Sequence, residues 1–63
     1  MRVSLDKEDS TTAYVDLRSD ELWTDEKKER AAEKAKKLGA RYVEVFRIRD
    51  TGEPAERVCT LKI

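Results

Sequence analysis

The sequence predicts an α+β fold in which one α-helix packs on one face of a single four-stranded β-sheet, in the order β-β-α-β-β. Two runs of alternating apolar and polar residues precede a helical segment, and two more runs follow it. Short polar stretches separate the runs within each pair, which is typical of β-hairpins. A chain of 63 residues has room for one such unit, so residues 1–63 are expected to form a single domain.

The first hairpin is predicted from the segments RVSLD and TAYVDLRS. Val3 and Leu5 share one face of the first segment, and Ala13, Val15 and Leu17 share one face of the second. The polar stretch KEDST between them is predicted to be the turn. Each strand is therefore expected to bury one face against the helix and to expose the other.

The helix is predicted to begin after Thr24, because threonine caps helix N-termini and because Asp25 and Glu26 place negative charge in the first turn. Ser19 is an alternative cap, so the start is uncertain by about one turn. Gly39 is predicted to end the helix, since glycine readily adopts the left-handed conformation found at helix C-termini.

The helix face that contacts the sheet is predicted to be narrow and mostly alanine. Ala31, Ala35 and Leu38 recur at helical spacing. Small residues of this kind allow a helix to lie close to a sheet. Trp23 is predicted to anchor the chain where it enters the helix, and a core or rim position is favoured over a ligand contact because tryptophan is usually well buried.

The third strand, ARYVEVFRIRD, contains a break in its alternation. Val43 and Val45 have one parity, whereas Phe46 and Ile48 have the other. Strict alternation would direct a charged residue into the core, so a β-bulge near Val45–Phe46 is predicted. The bulge would turn Val43, either Val45 or Phe46, and Ile48 towards the helix. It would leave three charged residues on the opposite face: Glu44, Arg47 and Arg49.

The last strand, ERVCTLKI, follows the turn DTGEP, in which Gly52 can adopt a positive φ. Cys59, Leu61 and Ile63 are predicted to face the helix, and Val58 is predicted to face solvent. The helical crossover makes the second and third strands parallel. Whether these two strands are neighbours in the sheet is left open by the sequence.

The charge composition narrows the choice of partner. Fourteen Lys and Arg residues balance fourteen Asp and Glu residues, so nucleic acid and anionic membranes are not expected partners. The apolar runs are too short to span a bilayer, and no basic segment followed by an apolar run indicates a secretory signal. A single cysteine fits a reducing compartment, so a cytoplasmic location, or heterologous cytoplasmic expression, is expected.

Enzymatic activity is not expected. The chain has no histidine, which excludes Ser–His and Cys–His pairs and imidazole ligands for zinc. Cys59 is the only cysteine and is predicted to be a small buried apolar residue. Gly39 and Gly52 are explained by the helix end and a turn, so no phosphate-binding loop is indicated. No metal or cofactor is therefore expected.

The open face of the sheet is the remaining candidate for a functional surface. Aromatic and basic residues on a sheet can stack nucleic-acid bases, but interleaved acidic residues favour an ordinary solvated face with cross-strand ion pairs. Exposed strand edges offer a second route, in which a partner protein or a second copy adds a strand. The residues predicted to form a protein-binding face are Tyr14, Tyr42, Arg47 and Arg49.

The segment TDEKKERAAEKAKKLGARYVEV resembles the helix–glycine–strand units of de novo designed, idealised α/β miniproteins of the ββαββ type. The absence of His, Asn and Gln fits this resemblance, although thermophilic proteins also use less Asn and Gln. The resemblance implies a scaffold without enzymatic activity, whose role is to fold. The alternative is a small natural protein-binding or inhibitor module of phage or archaeal type, which is similar in size and element order.

Overall fold

The computed structural model describes residues 1–63 and consists of one helix and one sheet. The two central strands, β2 and β3, are parallel neighbours, and each is paired with an antiparallel outer strand in the order β1-β2-β3-β4. The predicted fold class, both hairpins and the parallel crossover are therefore confirmed. The elements are β1 (Arg2–Leu5), β2 (Thr12–Leu17), α1 (Asp25–Lys37), β3 (Tyr42–Arg47) and β4 (Glu56–Lys62).

The helix begins after Thr24, as predicted. The Thr24 side-chain oxygen accepts a hydrogen bond from the Lys27 backbone N–H at 3.3 Å, which satisfies one of the free donors at the helix start. The alternative cap, Ser19, instead donates its hydroxyl to Asp50 at 2.8 Å. The single helix has neither the length nor the apolar character needed to cross a membrane.

The helix ends in a Schellman motif around Gly39, whose φ is +89°. The Gly39 N–H donates to the carbonyl of Lys36 at 3.0 Å, and the Ala40 N–H donates to the carbonyl of Ala35 at 2.9 Å. This pair of bonds satisfies two carbonyls that would otherwise lack partners. Gly39 therefore reverses the chain and delivers it to β3.

The buried core comes from β2, β3 and the helix. Its largest fully buried side chains are Leu17 and three valines, and no polar or charged residue is buried. Trp23 is half-buried and packs against this core, as predicted. Because the buried helix residues are alanines, the helix fills little volume itself. The eight core residues are Ala13, Val15, Leu17, Ala31, Ala35, Ala40, Val43 and Val45.

One helix does not cover all four strands. The helix contacts β1 and β3, which flank β2 in the sheet, so it lies over these three strands and leaves β4 less covered. The apolar residues of β4 are consequently half-buried, although they pack against the edge of the core. Cys59 has the predicted orientation but is not fully enclosed. Leu38, at the end of the helix, is 44% exposed.

The predicted irregularity in the second hairpin lies on β4, not on β3. Val45 pairs with Cys59, and the next residue, Phe46, pairs with Arg57. Val58 is therefore the extra residue of the bulge. It packs against the core, whereas the sequence pattern directed it to solvent. Strand β3 itself alternates without interruption.

Uninterrupted alternation places Arg47 on the helix side, which reverses the prediction for this residue. Of the two residues that could have pointed inward, Val45 is buried in the core and Phe46 lies on the open side. Arg47 lies opposite Leu17 in β2. Its Nε–H donates to the backbone carbonyl of Glu21 at 3.3 Å. An arginine at the rim can bury its stem while its charged group stays hydrated or hydrogen-bonded, so no bulge in β3 is needed. Ile48 follows the strand and is 51% exposed, not directed inward.

Candidate functional site

The open face of the sheet carries the side chains that the helix does not cover. Tyr14 and Glu44 are neighbours across β2 and β3. Phe46 and Arg57 are neighbours across β3 and β4. Side chains of paired residues lie on the same face of a sheet, so these four residues form the middle of the open face.

Tyr14, Phe46 and Arg57 form what we call the aromatic cluster. The two rings have centroids 5.8 Å apart and planes inclined by 56°. The Arg57 guanidinium carbon lies 5.9 Å from the Phe46 ring centroid, and its Nη2–H donates to Glu44 Oε1 at 2.9 Å. Both geometries are favourable for aromatic and cation–π contacts. The cluster therefore orders the centre of a surface that would otherwise be fully solvated.

Tyr14 also connects the open face to the β1–β2 loop. Its hydroxyl donates to Asp6 Oδ2 at 2.8 Å, and this bond raises the pKa of Tyr14. The pKa of Asp6 is lowered, first because it accepts the Glu8 backbone N–H and next because it accepts the Tyr14 hydroxyl. The pKa of Asp9 is lowered by hydrogen bonds from the hydroxyl and N–H of Thr11. Both loop carboxylates are therefore ionised at neutral pH.

An open depression of about 350 Å³ lies between this loop and the open face. Two tyrosines and three carboxylates surround it, and no cationic side chain lines it. Carboxylates and aromatic faces both attract positive charge, so the depression is suited to a cationic group. It is lined by Asp6, Asp9, Thr12, Tyr14, Tyr42, Glu44 and Thr60.

The structure separates the four residues predicted to form a protein-binding face. Tyr14 and Tyr42 lie on the open face and both line the depression. Arg47 lies on the helix side of the sheet, and Arg49 follows the end of β3. The assignment of Arg47 to the open face is wrong, because β3 alternates strictly, and Arg49 lies beyond the end of the strand.

The two arginines have local acidic partners instead. Arg47 Nη1 lies 3.7 Å from a carboxylate oxygen of Glu56, its neighbour on β4. Arg49 Nη1 lies 2.8 Å from Glu53 Oε2 across the β3–β4 turn. These contacts give both arginines a role in the second hairpin.

Sequence reasoning missed Phe46, Arg57 and the two loop aspartates as members of this surface. The parity shared by Tyr42 and Phe46 was a sufficient signal for Phe46, provided that strict alternation was accepted. The position of Arg57 depends on the bulge at Val58. The aspartates belong to a loop, where alternation gives no information.

Another partly enclosed carboxylate lies on the segment before the helix. The Glu21 side chain is 9% exposed and lies 3.1 Å from the Met1 ammonium and 3.0 Å from Lys27 Nζ. It also accepts the Arg18 backbone N–H at 3.1 Å. This backbone bond, followed by the bond to Lys27, lowers the pKa of Glu21 to about 2. Glu21 thus ties the start of β1 to the helix.

The carboxylates of the open face are not grouped in a way that could hold a metal ion. No protein-family model, curated protein or solved structure matches the chain. The interpretation of the open face therefore depends on its own residues.

Proposed function

We propose that the chain is a scaffold without enzymatic activity, of the idealised ββαββ type that its sequence resembles, and that its role is to fold into a stable sheet-and-helix unit. Agreement between local signals and the tertiary fold supports this proposal. Thr24 caps the start of the helix with its side-chain oxygen, and Gly39 ends the helix with a positive φ. The free thiol of Cys59 suits a reducing cytoplasm.

The observation that carries the proposal is that the buried polar groups are all hydrogen-bonded. No buried side-chain nitrogen or oxygen lacks a hydrogen-bond partner, and no polar or charged residue lies in the core. Functional sites commonly violate such rules, because strained or incompletely paired groups are part of their chemistry. Agreement between local and tertiary preferences, as seen here at the helix ends and in the buried polar groups, is typical of a sequence whose main task is folding.

Thermal and guanidinium unfolding, followed by circular dichroism, tests the scaffold proposal. Idealised folds are commonly hyperstable, so we expect a midpoint above about 90 °C or about 5 M guanidinium. A midpoint in the ordinary range of roughly 45–65 °C would contradict this proposal and favour a natural module.

The depression on the open face favours a second candidate function, protein binding by a small natural module of phage or archaeal type. Tyr14 and Tyr42 supply two aromatic rings, and three carboxylates supply negative charge around them. A lysine or arginine side chain of a partner matches this chemistry. The binding surface is then centred on the tyrosines and excludes Arg47 and Arg49.

NMR titration with a blocked tetralysine peptide tests this second candidate. We expect shifts of the Tyr14 and Tyr42 amide signals that saturate and that weaken as salt is added. Tyr42→Ala should reduce the shifts, whereas Arg49→Ala, which lies outside the depression, should leave them unchanged. A tetraglutamate peptide is the charge control. The absence of shifts up to about 5 mM lysine peptide would contradict binding at this site.

A further inference from the structure

We propose that two copies of this chain associate through their β4 strands, which pair antiparallel about a two-fold axis at Leu61. This inference goes beyond the scaffold proposal, because it assigns a partner and an interface. It follows from three features of one strand: its free backbone groups, its half-covered apolar row and its self-complementary register.

The free backbone groups of β4 belong to Thr60 and Lys62. The Ile63 N–H donates to the Arg41 carbonyl at 2.9 Å, so Ile63 occupies a hydrogen-bonded position of the ladder with β3. Hydrogen-bonded and non-hydrogen-bonded positions alternate in an antiparallel pair. The N–H and C=O groups of Thr60 and Lys62 therefore point away from the sheet. Each copy offers two donors and two acceptors along this edge.

The half-covered apolar row lies along the same edge. Cys59, Leu61 and Ile63 face the helix side and are only half-buried, since the helix lies over β1 to β3. Leu38, at the end of the helix, is 44% exposed. The opposite edge strand, β1, is shorter and contacts the helix. β4 therefore combines the longer open edge with a half-covered apolar row.

The register about Leu61 pairs the free backbone groups and also brings the two apolar rows together. In this register, Thr60 of each copy lies opposite Lys62 of the other copy. Each of these two pairs forms two backbone hydrogen bonds, so the free groups form four in total. On the helix side, Cys59 faces Ile63 of the second copy and Leu61 faces its own equivalent. Apolar residues thus meet apolar residues, and the arrangement is isologous, as a two-fold dimer requires.

Neighbouring registers are less favourable. An axis at Lys62 would place two lysines directly opposite each other, which is destabilising. An axis at Thr60 would extend the pairing into the bulge at Val58, where the ladder of β4 is irregular. The register about Leu61 avoids both problems.

The resulting dimer has one continuous eight-stranded sheet with both helices on the same face. The paired segment is short, so the interface falls in the small class below about 1,200 Å². We therefore expect association that depends on concentration.

Sedimentation equilibrium under reducing conditions tests the dimer. Between about 10 µM and about 1 mM chain, the mass should rise from 7.3 kDa towards twice that value. Thr60→Pro removes an N–H that β3 does not use, and proline is tolerated at such edge positions. This variant should keep the circular dichroism spectrum and remain monomeric. Thr60→Val retains the N–H and is the matched control, which should still associate.

Disulfide trapping tests the register independently. In a Cys59→Ser background, Leu61→Cys places two thiols at a non-hydrogen-bonded position, where the Cα atoms are about 4.5 Å apart and can be bridged. Oxidation should yield a covalent dimer. Thr60→Cys in the same background should not yield a covalent dimer, because position 60 lies opposite position 62 of the second copy and the two thiols are not directly opposed.

Three results would overturn the proposal. The first is a mass that stays at 7.3 kDa up to about 1 mM chain. The second is undiminished association of a folded Thr60→Pro variant. The third is efficient trapping through Thr60→Cys and none through Leu61→Cys, which would rule out the axis at Leu61.

Discussion

The guanidinium of Arg57 lies 5.9 Å from the centroid of the Phe46 ring, on the side of the sheet that faces away from the helix. The bulge at Val58 creates this relationship, because without the extra residue Phe46 would lie opposite Val58. One inserted residue therefore sends a valine to the core and an arginine to the aromatic cluster.

Removing the guanidinium of Arg57 should destabilise the fold slightly. Arg57→Ala deletes both the contact with Phe46 and the ion pair with Glu44. The side chain is largely exposed, so we expect a loss of about 0.5–1 kcal/mol in the free energy of unfolding. Arg57→Met, which keeps an unbranched stem, separates the packing contribution from the charge. Denaturation with guanidinium chloride measures the free energy of unfolding of the wild type and both variants. Equal free energies would contradict a cation–π role for Arg57.

Truncation of Leu17 should be the most damaging single change in the core. Leu17 is the largest fully buried side chain, so Leu17→Ala should lower the free energy of unfolding by about 2–5 kcal/mol. The matched control is Leu22→Ala, because Leu22 is 72% exposed and should change stability by less than about 0.5 kcal/mol. Similar midpoints for the two variants in a thermal melt would be inconsistent with the described core.

A side chain at Gly39 should destabilise the fold through the backbone alone. The φ of Gly39 is +89°, and a Cβ there would meet no atom within 4 Å. Gly39→Ala should therefore cost about 1–2 kcal/mol from conformational strain, with no steric contribution. Gly39→Asn should cost less, since asparagine tolerates the left-handed region better. Equal stability of the wild type and the alanine variant would show that the Schellman geometry is absent in solution.

Acid should destabilise the chain partly through Glu21. Its pKa falls from 4.5 to about 2 in the folded state, so the folded state favours the ionised form. The stabilisation is complete above about pH 5 and is lost as the pH falls from the unfolded pKa towards about 2. The lowered pKa values of Asp6 and Asp9 act in the same direction.

Glu21→Gln isolates the contribution of Glu21. The variant should be less stable than the wild type at pH 7 and should lose less stability on acidification. Guanidinium titrations at several pH values between 2 and 7 measure this difference. Glu33→Gln, on an exposed helix position, controls for the loss of one carboxylate. A pH dependence identical to that of the wild type would rule out the Glu21 network as an acid-sensitive element.

The sequence predicts those parts of the fold that depend on local chemistry. Thr24 and Gly39 mark the helix ends because capping involves backbone groups within one turn. Ala13, Val15 and Leu17 identify the buried face of β2 because alternation is a property of a single strand. The order of the strands required tertiary information, since the crossover specifies that β2 and β3 are parallel and does not specify that they are adjacent.

The surface was harder to predict because it depends on the pairing between strands. The pattern of β3 does not reveal the bulge, because β3 alternates strictly once Arg47 is accepted on the helix side, and the extra residue lies in β4. Placing the bulge on β3 moved Arg47 to the open face and left the side of Phe46 open. With the bulge at Val58, Arg47 lies on the helix side and Phe46 on the open face, and the candidate surface moves from the arginines to the tyrosines and the β1–β2 loop.

The central parallel pair also has a kinetic consequence. Thr12 pairs with Tyr42, 30 positions away, whereas each hairpin and the helix join residues that are close in the chain. Non-local pairing must overcome loop-closure entropy before its contacts form. We therefore expect the docking of the two halves to limit the folding rate. Val45→Ala should slow refolding in a chevron analysis, and an effect confined to the unfolding rate would place this pairing after the transition state.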